Sequence, residues 1–159
     1  MALPILQALL LADHVYADQV SGKFVICGVF NTLYFTPRSE QIQGQVAARG
    51  TEAAGAAIAK LVHAGSPHAY LSLTEFEGAR EFELRYVNLS QEEHEGSVLF
   101  SMKIRLTSPG PLETVQWATP LPPLPMSKEE EEGAYALELL CENEWLGSHK
   151  VLLKRNPNI

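Results

Sequence analysis

The chain has 159 residues, enough for one domain that buries about 70% of its unfolded surface and too few for two ordinary domains. Hydrophobic residues make up 46% of it and charged residues 19%, which is typical of a folded globular protein and excludes a disordered tail. The formal charge of −7 opposes the approach of nucleic-acid phosphates and anionic lipid surfaces. We therefore expect a single domain over residues 1–159, with neither nucleic acid nor membrane as a partner.

The first residues contain an apolar run, Leu9-Leu10-Leu11, that resembles the hydrophobic part of an export signal. No Lys or Arg precedes this run, and Asp13-His14 stands where a cleavage site needs small residues. No apolar segment of the sequence approaches the roughly 20 residues that a membrane span needs. These features predict a cytoplasmic protein.

Residues 7–16 and 22–35 are rich in β-formers and are separated by a short polar segment, a pattern typical of an antiparallel hairpin. Apolar residues occupy both parities of the second segment, which predicts a central strand that is covered on both faces. Gly28 interrupts it, and a glycine inside a strand indicates a bulge or a close backbone approach rather than a catalytic loop.

The same two segments carry a resemblance to a known family. An Ala-Asp pair, a Gly-Lys pair, an Ile-x-Gly-x-Phe strand and a late Gly-x-Tyr strand resemble the signature of an uncharacterised bacterial family of small β-rich proteins, a domain of unknown function. The matching positions are Ala12, Asp13, Gly22, Lys23, Ile26, Gly28, Phe30, Gly133 and Tyr135. The resemblance implies a β-rich bacterial protein and implies no activity.

Residues 52–64 differ from the rest of the chain because they are rich in alanine and have the apolar spacing of one helical face. Thr51 suits the N-cap and Gly65 the end of a helix. We expect one short helix that covers the sandwich, rather than a helix that lies on a membrane surface.

Period-two alternation and turn residues predict the remaining strands, at residues 69–76, 80–88, 98–107, 113–118, 135–141 and 145–154. The fold prediction is an all-β, immunoglobulin-like antiparallel β-sandwich of about eight or nine strands with one short inserted helix at about 52–64. Four prolines in residues 119–126 predict an extended connection between the sheets, and a ligand for an aromatic groove is the alternative.

Two further structural predictions are specific to single residues. The hairpin of 80–88 with 98–107 has one register that satisfies both faces, in which Leu84 lies opposite Met102 and Glu83 opposite Lys103. Tyr135 follows an acidic turn as in a tyrosine corner, so we expect it to be buried with its hydroxyl bonded to the backbone of that turn.

Cys27 and Cys141 lie among apolar neighbours at a spacing that fits neither a metal site nor a redox pair. They are predicted to be buried free thiols. A disulfide between them is the alternative, because strands of an immunoglobulin-like sandwich could bring them together.

The sequence contains no nucleophile elbow, no phosphate-binding loop and no metal-ligand spacing among His14, His63, His68, His94 and His149. We therefore assign no catalytic, cofactor-binding or metal-binding residue and expect no cofactor. Asp13 and His14 are the polar pair to inspect first, because they interrupt an apolar strand. The structural interpretation of this pair is a hydrogen bond to backbone at a strand end.

The leading hypothesis is a non-enzymatic module that binds another protein or associates with itself, because a sandwich has strand edges that must be protected or paired. The alternative is a small-molecule or carbohydrate binder, or a hydrolase, with its site in loops at one end of the sandwich. A pocket lined by Trp117, Trp145, Tyr70 or His68 would favour the alternative.

Overall fold

The structure is a computed structural model that describes residues 2–35, 62–63, 66–90, 98–127 and 132–157. Within these ranges the chain forms eleven strands and no helix. In chain order they are β1 (Ile5–Ala17), β2 (Phe24–Val29), β3 (Thr32–Phe35), β4 (Val62–His63), β5 (His68–Thr74), β6 (Gly78–Asn88), β7 (Val98–Ser108), β8 (Val115–Pro120), β9 (Pro125–Ser127), β10 (Gly133–Cys141) and β11 (Glu144–Arg155).

Nine of these strands form two sheets. The four-stranded sheet has the order β2-β1-β5-β8, and the five-stranded sheet has the order β3-β11-β10-β6-β7. All neighbours in the two sheets are antiparallel except β3 and β11, which run parallel. The short strands β4 and β9 pair with each other and, among the described strands, with no other.

The inner faces of the two sheets share one hydrophobic core. The four-stranded sheet contributes Leu11 and Leu71, and the five-stranded sheet contributes Leu84 and Leu137, all with no solvent exposure. Every second residue of β6 and β10 points into this core, as the period of two in a strand requires. The predicted all-β sandwich is confirmed.

The prediction that residues 22–35 form one central strand is wrong. The segment forms two edge strands, because β2 lies at the edge of the four-stranded sheet and β3 at the edge of the five-stranded sheet. Val25 is 50% exposed and Tyr34 is 60% exposed. The chain crosses from one sheet to the other between β2 and β3, so the alternation of inward and outward side chains starts anew in β3. Apolar residues on both parities therefore reflect two strands, not one strand that is covered twice.

The predicted register of the β6–β7 hairpin is confirmed. A bulge shifts the pairing only at the start of β7, where Val87 pairs with Val98 and Leu99 becomes the extra residue. The predicted pairs that the structure contains are Phe82 with Ile104, Leu84 with Met102, Tyr86 with Phe100, Glu81 with Arg105 and Glu83 with Lys103.

Only Val62 and His63 of the predicted helix at 52–64 are described, and they form strand β4, so the helix prediction is wrong at these two residues. Residues 52–61 and 64 lie outside the described part. Pairing with β9 explains the difference, because a local helix preference is weaker than a tertiary strand partner. No helix of the described residues is long and apolar enough to cross a membrane.

The proline-rich segment connects the two sheets, as predicted. It leaves the four-stranded sheet at the end of β8, passes through β9 and enters the five-stranded sheet at β10. Leu121 and Leu124 anchor it, because both side chains are buried in the shared core. Burial of these two leucines fixes the path of a segment whose prolines donate no hydrogen bonds to a ladder.

Tyr135 is buried, as predicted, and its ring stacks on that of Tyr86 with centroids 5.8 Å apart. Residues 128–131 of the acidic turn lie outside the described part of the chain, so the predicted bond from the Tyr135 hydroxyl to this turn stays a prediction. Both cysteines are free thiols. Cys141 is buried as predicted, whereas Cys27 is exposed, because its strand β2 lies at a sheet edge.

Candidate functional site

Asp13 and His14 lie where β1 leaves its partner β5 and continues with β2 alone. Ala12 is the last residue of β1 that pairs with both neighbours, opposite Val29 on one side and His68 on the other. The Asp13 carboxylate then packs against Gly28, whose φ is 71° and where any Cβ would overlap that carboxylate. A close approach at Gly28 is therefore present, but it is made by a side chain, that of Asp13, and not by the backbone that was predicted there.

The structure adds His68 to the predicted pair. The Nδ1 of His68 donates a hydrogen bond of 3.1 Å to the backbone carbonyl of Asp13. The His14 ring lies 5.6 Å from the His68 ring and 5.8 Å from that of Tyr16, measured between centroids. Asp13 and His14 are both exposed. The backbone of Asp13, rather than its carboxylate, makes the strand-end hydrogen bond, so this contact fastens the hairpin to β5.

These side chains form a small polar cluster on the surface. Within the described ranges, no three His, Cys, Asp or Glu side chains are placed to hold one metal ion. The exposed side chains Asp13, His14 and Tyr16 do not line a closed site. The arrangement therefore supports a structural role for the cluster in holding the β1–β2 hairpin.

The four residues proposed to line a pocket do not come together. Trp117 packs against the hydrophobic core, and Trp145 is 58% exposed on the other sheet. Tyr70 is buried, contacts the Phe24 ring at 5.5 Å and accepts a hydrogen bond of 2.6 Å from Gln116 Nε2. Only Tyr70 and His68 share a strand. This placement gives the hypothesis of a small-molecule or carbohydrate site no support.

The sheet edges differ strongly in length and protection. β3 has 4 residues, and β2 has 6 with Gly28 in the left-handed region near its end. β8 has 6 residues and ends at Pro120, which has no N–H to donate. β7 has 11 residues, and within the described ranges it pairs on one side only, with β6. Beyond its bulge at Leu99, β7 follows one regular register. It is the longest edge in the described part of the chain.

β7 presents apolar and charged side chains on opposite faces. Toward the core, Phe100 and Met102 are only partly buried, although both pack against the hydrophobic cluster. On the outer face, Lys103 and Arg105 are exposed. A row of N–H and C=O groups along the free side of an edge strand can pair with another strand. Half-buried apolar residues beside that row would be covered by the added strand.

The charges on the outer face of β7 interact diagonally with β6. Lys103 Nζ lies 3.0 Å from Glu81 Oε1, and the hydrogen bond that the Lys103 ammonium donates to this carboxylate raises the pKa of Lys103. Glu83, which lies directly opposite Lys103, instead accepts a hydrogen bond of 2.6 Å from Ser101 Oγ. The Glu83 carboxylate is therefore held over the edge strand.

Sequence reasoning identified β7 as a strand but missed that it is an edge. The segment Ser108-Pro109-Gly110-Pro111 was a usable signal, because its turn-forming residues end β7 and separate it from β8. β8 joins the other sheet, so β7 has no second neighbour among the strands that the structure describes. Glu83 was likewise predicted only as the direct partner of Lys103, and its hydrogen bond with Ser101 at this edge was missed.

No protein-family model matches the chain, and no curated protein is significantly similar to it.

Proposed function

We propose that the protein is a non-enzymatic interaction module whose β7 edge pairs with a strand of another protein or of a second copy. The length of this edge is the observation that carries the proposal: β7 has 11 residues, and among the described residues its partner strand lies on one side only. Strand addition at such an edge uses backbone hydrogen bonds for affinity and alternating side chains for specificity.

Side chains around β7 support the same proposal. Phe100 and Met102 are partly buried on the inner face, so a strand beside β7 removes apolar surface from water as well as pairing backbone groups. The other edges are less suited to strand addition. β3 is short, β2 carries the conformation of Gly28, and β8 ends in proline.

The proposal also includes an immunoglobulin-like topology, membership of a bacterial family and a cytoplasmic location. Successive connections from β5 to β6, from β7 to β8 and from β8 through β9 to β10 pass between the two sheets, which supports an immunoglobulin-like topology. Membership of the uncharacterised bacterial family and a cytoplasmic location rest on the sequence patterns alone. Neither is needed for an edge that pairs with a strand.

The experiment compares two lysine substitutions with similar surroundings. Met102 on β7 and Val115 on β8 are both half-buried residues that pack against the core from edge strands. Lysine at either site can extend to solvent past a free edge, but an added strand would bury its charge. Met102→Lys should therefore abolish association through β7, and Val115→Lys should leave that association intact.

The measurement is capture by a tagged chain from cells that also produce an untagged copy. We expect the wild type and Val115→Lys to retain the same protein in stoichiometric amount and Met102→Lys to lose it. Circular dichroism and urea unfolding of the variants establish that each is folded. If folded Met102→Lys retains everything that the wild type retains, pairing through β7 is wrong.

A further inference from the structure

We infer that the strand added to β7 is the β7 of a second copy, antiparallel to the first, about a two-fold axis at Met102. This inference rests on the proposed function, since it names the occupant of the edge proposed there. It joins two five-stranded sheets into one continuous sheet. The evidence is the pattern of charges and apolar residues along β7.

A two-fold axis between two copies of one strand restricts the possible registers. The axis is perpendicular to the sheet, so inner faces adjoin inner faces and outer faces adjoin outer faces. One residue of each strand then lies on the axis and faces itself. Each register is therefore identified by the residue on the axis, and the candidates in the middle of β7 are Met102, Lys103, Ile104 and Arg105.

Like charges disfavour three of these four registers. An axis at Lys103 sets Lys103 against itself, and an axis at Arg105 sets Arg105 against itself. An axis at Ile104 sets Lys103 against Arg105. Like charges directly opposite each other on neighbouring strands are destabilising. In each of these three registers, two positive charges lie directly opposite each other.

The axis at Met102 brings opposite charges together instead. It places Lys103 of one copy opposite Ser101 of the other, and Ser101 holds the Glu83 carboxylate at 2.6 Å. Lys103 of each copy thus meets Glu83 of the other, twice in the dimer. Registers with the axis at Ser101 or at Leu106 also keep Lys103 and Arg105 apart. Because of the bulge at Leu99, an axis at Ser101 pairs only residues 100–102 regularly. An axis at Leu106 pairs residues 104–108 and leaves Phe100 and Met102 uncovered, whereas the axis at Met102 pairs residues 100–104 and covers both.

The inner face is also complementary in this register. Phe100 lies opposite Ile104 of the second copy, and Met102 lies opposite itself. Phe100 and Met102 are the partly buried residues of the inner face, so the dimer covers the apolar surface that the single chain leaves open. The bulge at Leu99 falls outside the regular central stretch 100–104. Because both β7 edges are used, the dimer is closed and does not grow into a fibre.

The register is tested by disulfide formation in a Cys27→Ser background, which removes the exposed native thiol. Met102→Cys places the two new thiols opposite each other across the axis, within the Cα separation of about 4.4–6.8 Å that a disulfide needs. Lys103→Cys is the matched control on the neighbouring residue, and its thiols would meet only in the disfavoured register with the axis at Lys103. We expect mild oxidation to cross-link most of the Met102→Cys chain and little of the Lys103→Cys chain.

A second measurement does not depend on cysteine chemistry. Sedimentation of the wild type should give a dimer, and Lys103→Glu should weaken it about tenfold, because the introduced carboxylate then meets Glu83 of the other copy. The double variant Glu83→Lys with Lys103→Glu restores opposite charges and should restore the dimer.

Two results would overturn the inference while the proposed function stands. They are a wild type that stays monomeric at about 100 μM while a different protein is captured through β7, and faster cross-linking at residue 103 than at 102. Loss of the proposed function is a separate result, recognised when Met102→Lys changes no association at all.

Discussion

Replacing Gly28 by alanine tests the contact that shapes the β1–β2 hairpin. Gly28 has a φ of 71°, and a Cβ there would lie 2.8 Å from Cγ and 3.1 Å from Cβ of Asp13. The left-handed conformation alone costs an L-residue about 1–2 kcal/mol. Moving the Asp13 carboxylate off its rotamer adds about 1 kcal/mol. We therefore expect Gly28→Ala to lower the free energy of unfolding by about 2–3 kcal/mol.

Gly22 provides the matched control for the backbone term. Its φ is 69°, almost that of Gly28, but a Cβ at Gly22 meets no atom within 4 Å. Gly22→Ala should therefore lose about 1–2 kcal/mol, from the backbone alone. The difference between the two variants is the contribution of the Asp13 contact.

Urea unfolding followed by circular dichroism measures these free energies, and Asp13→Ala completes a double-mutant cycle. In the Asp13→Ala background the Cγ and Oδ2 contacts are gone and only the 3.1 Å contact to Cβ of residue 13 remains, so most of the excess cost of Gly28→Ala over Gly22→Ala should disappear. Equal losses at Gly22 and Gly28 in the chain that keeps Asp13 would refute the close approach as an energetic constraint.

Two predictions concern buried side chains that titrate. Burial raises the pKa of Tyr86 and, to a smaller extent, of Tyr135 above the ordinary value of 10.0, so above that pH the unfolded chain releases protons that the native chain keeps. The urea midpoint should fall as the pH rises past about 10, and Tyr86→Phe should reduce this fall. An unchanged pH dependence in Tyr86→Phe would contradict the assignment of the effect to Tyr86. The exposed thiol of Cys27 should react with a disulfide reagent in the native protein, whereas Cys141, whose pKa is raised mainly by burial, should react only after unfolding. Cys27→Ser should abolish the fast reaction, and a fast thiol left in that variant would show that Cys141 is accessible.

The β6–β7 register could be predicted because both faces of that hairpin carry information. Apolar residues fix the inward parity, and a slip by one residue would bury Glu81 and Glu83. The charges then select among registers of the same parity. The detailed ion pairing was less predictable, since Lys103 contacts Glu81 diagonally and leaves its direct neighbour Glu83 to Ser101. Long side chains reach diagonal partners as easily as direct ones.

The placement of residues 22–35 could not be derived from local pattern. Apolar residues on both parities fit a strand covered on both faces, but they also fit two successive strands that belong to different sheets. Exposure of Val25 and Tyr34 costs little free energy, because apolar atoms form much of any protein surface. Only the change of sheet between β2 and β3 distinguishes the two cases, and that is a property of the whole topology.

The polar cluster was only half predictable for a related reason. Asp13 and His14 could be singled out because they interrupt an apolar strand. His68 lies beside them through the register of β1 with β5, and a bulge between Leu6 and Ala8 shifts that register. Sequence spacing does not reveal a bulge at Gln7, since a one-residue insertion leaves the apolar pattern on either side intact. Long-range contacts that depend on a bulge therefore require coordinates.

The energetics of the β7 edge explain why Met102, and not a backbone group, is the informative site. Water satisfies the free N–H and C=O groups of an edge strand, so each new hydrogen bond across the edge adds only about 0.5–1.5 kcal/mol net. Covering the half-buried Phe100 and Met102 is a gain that no solvent contact offsets. In the proposed pairing, the backbone groups therefore make the edge suitable for a strand, and the side chains of the inner face determine most of the affinity. In the dimer proposed above, a lysine at residue 102 would oppose that second contribution at the axis itself, where each copy presents it to the other.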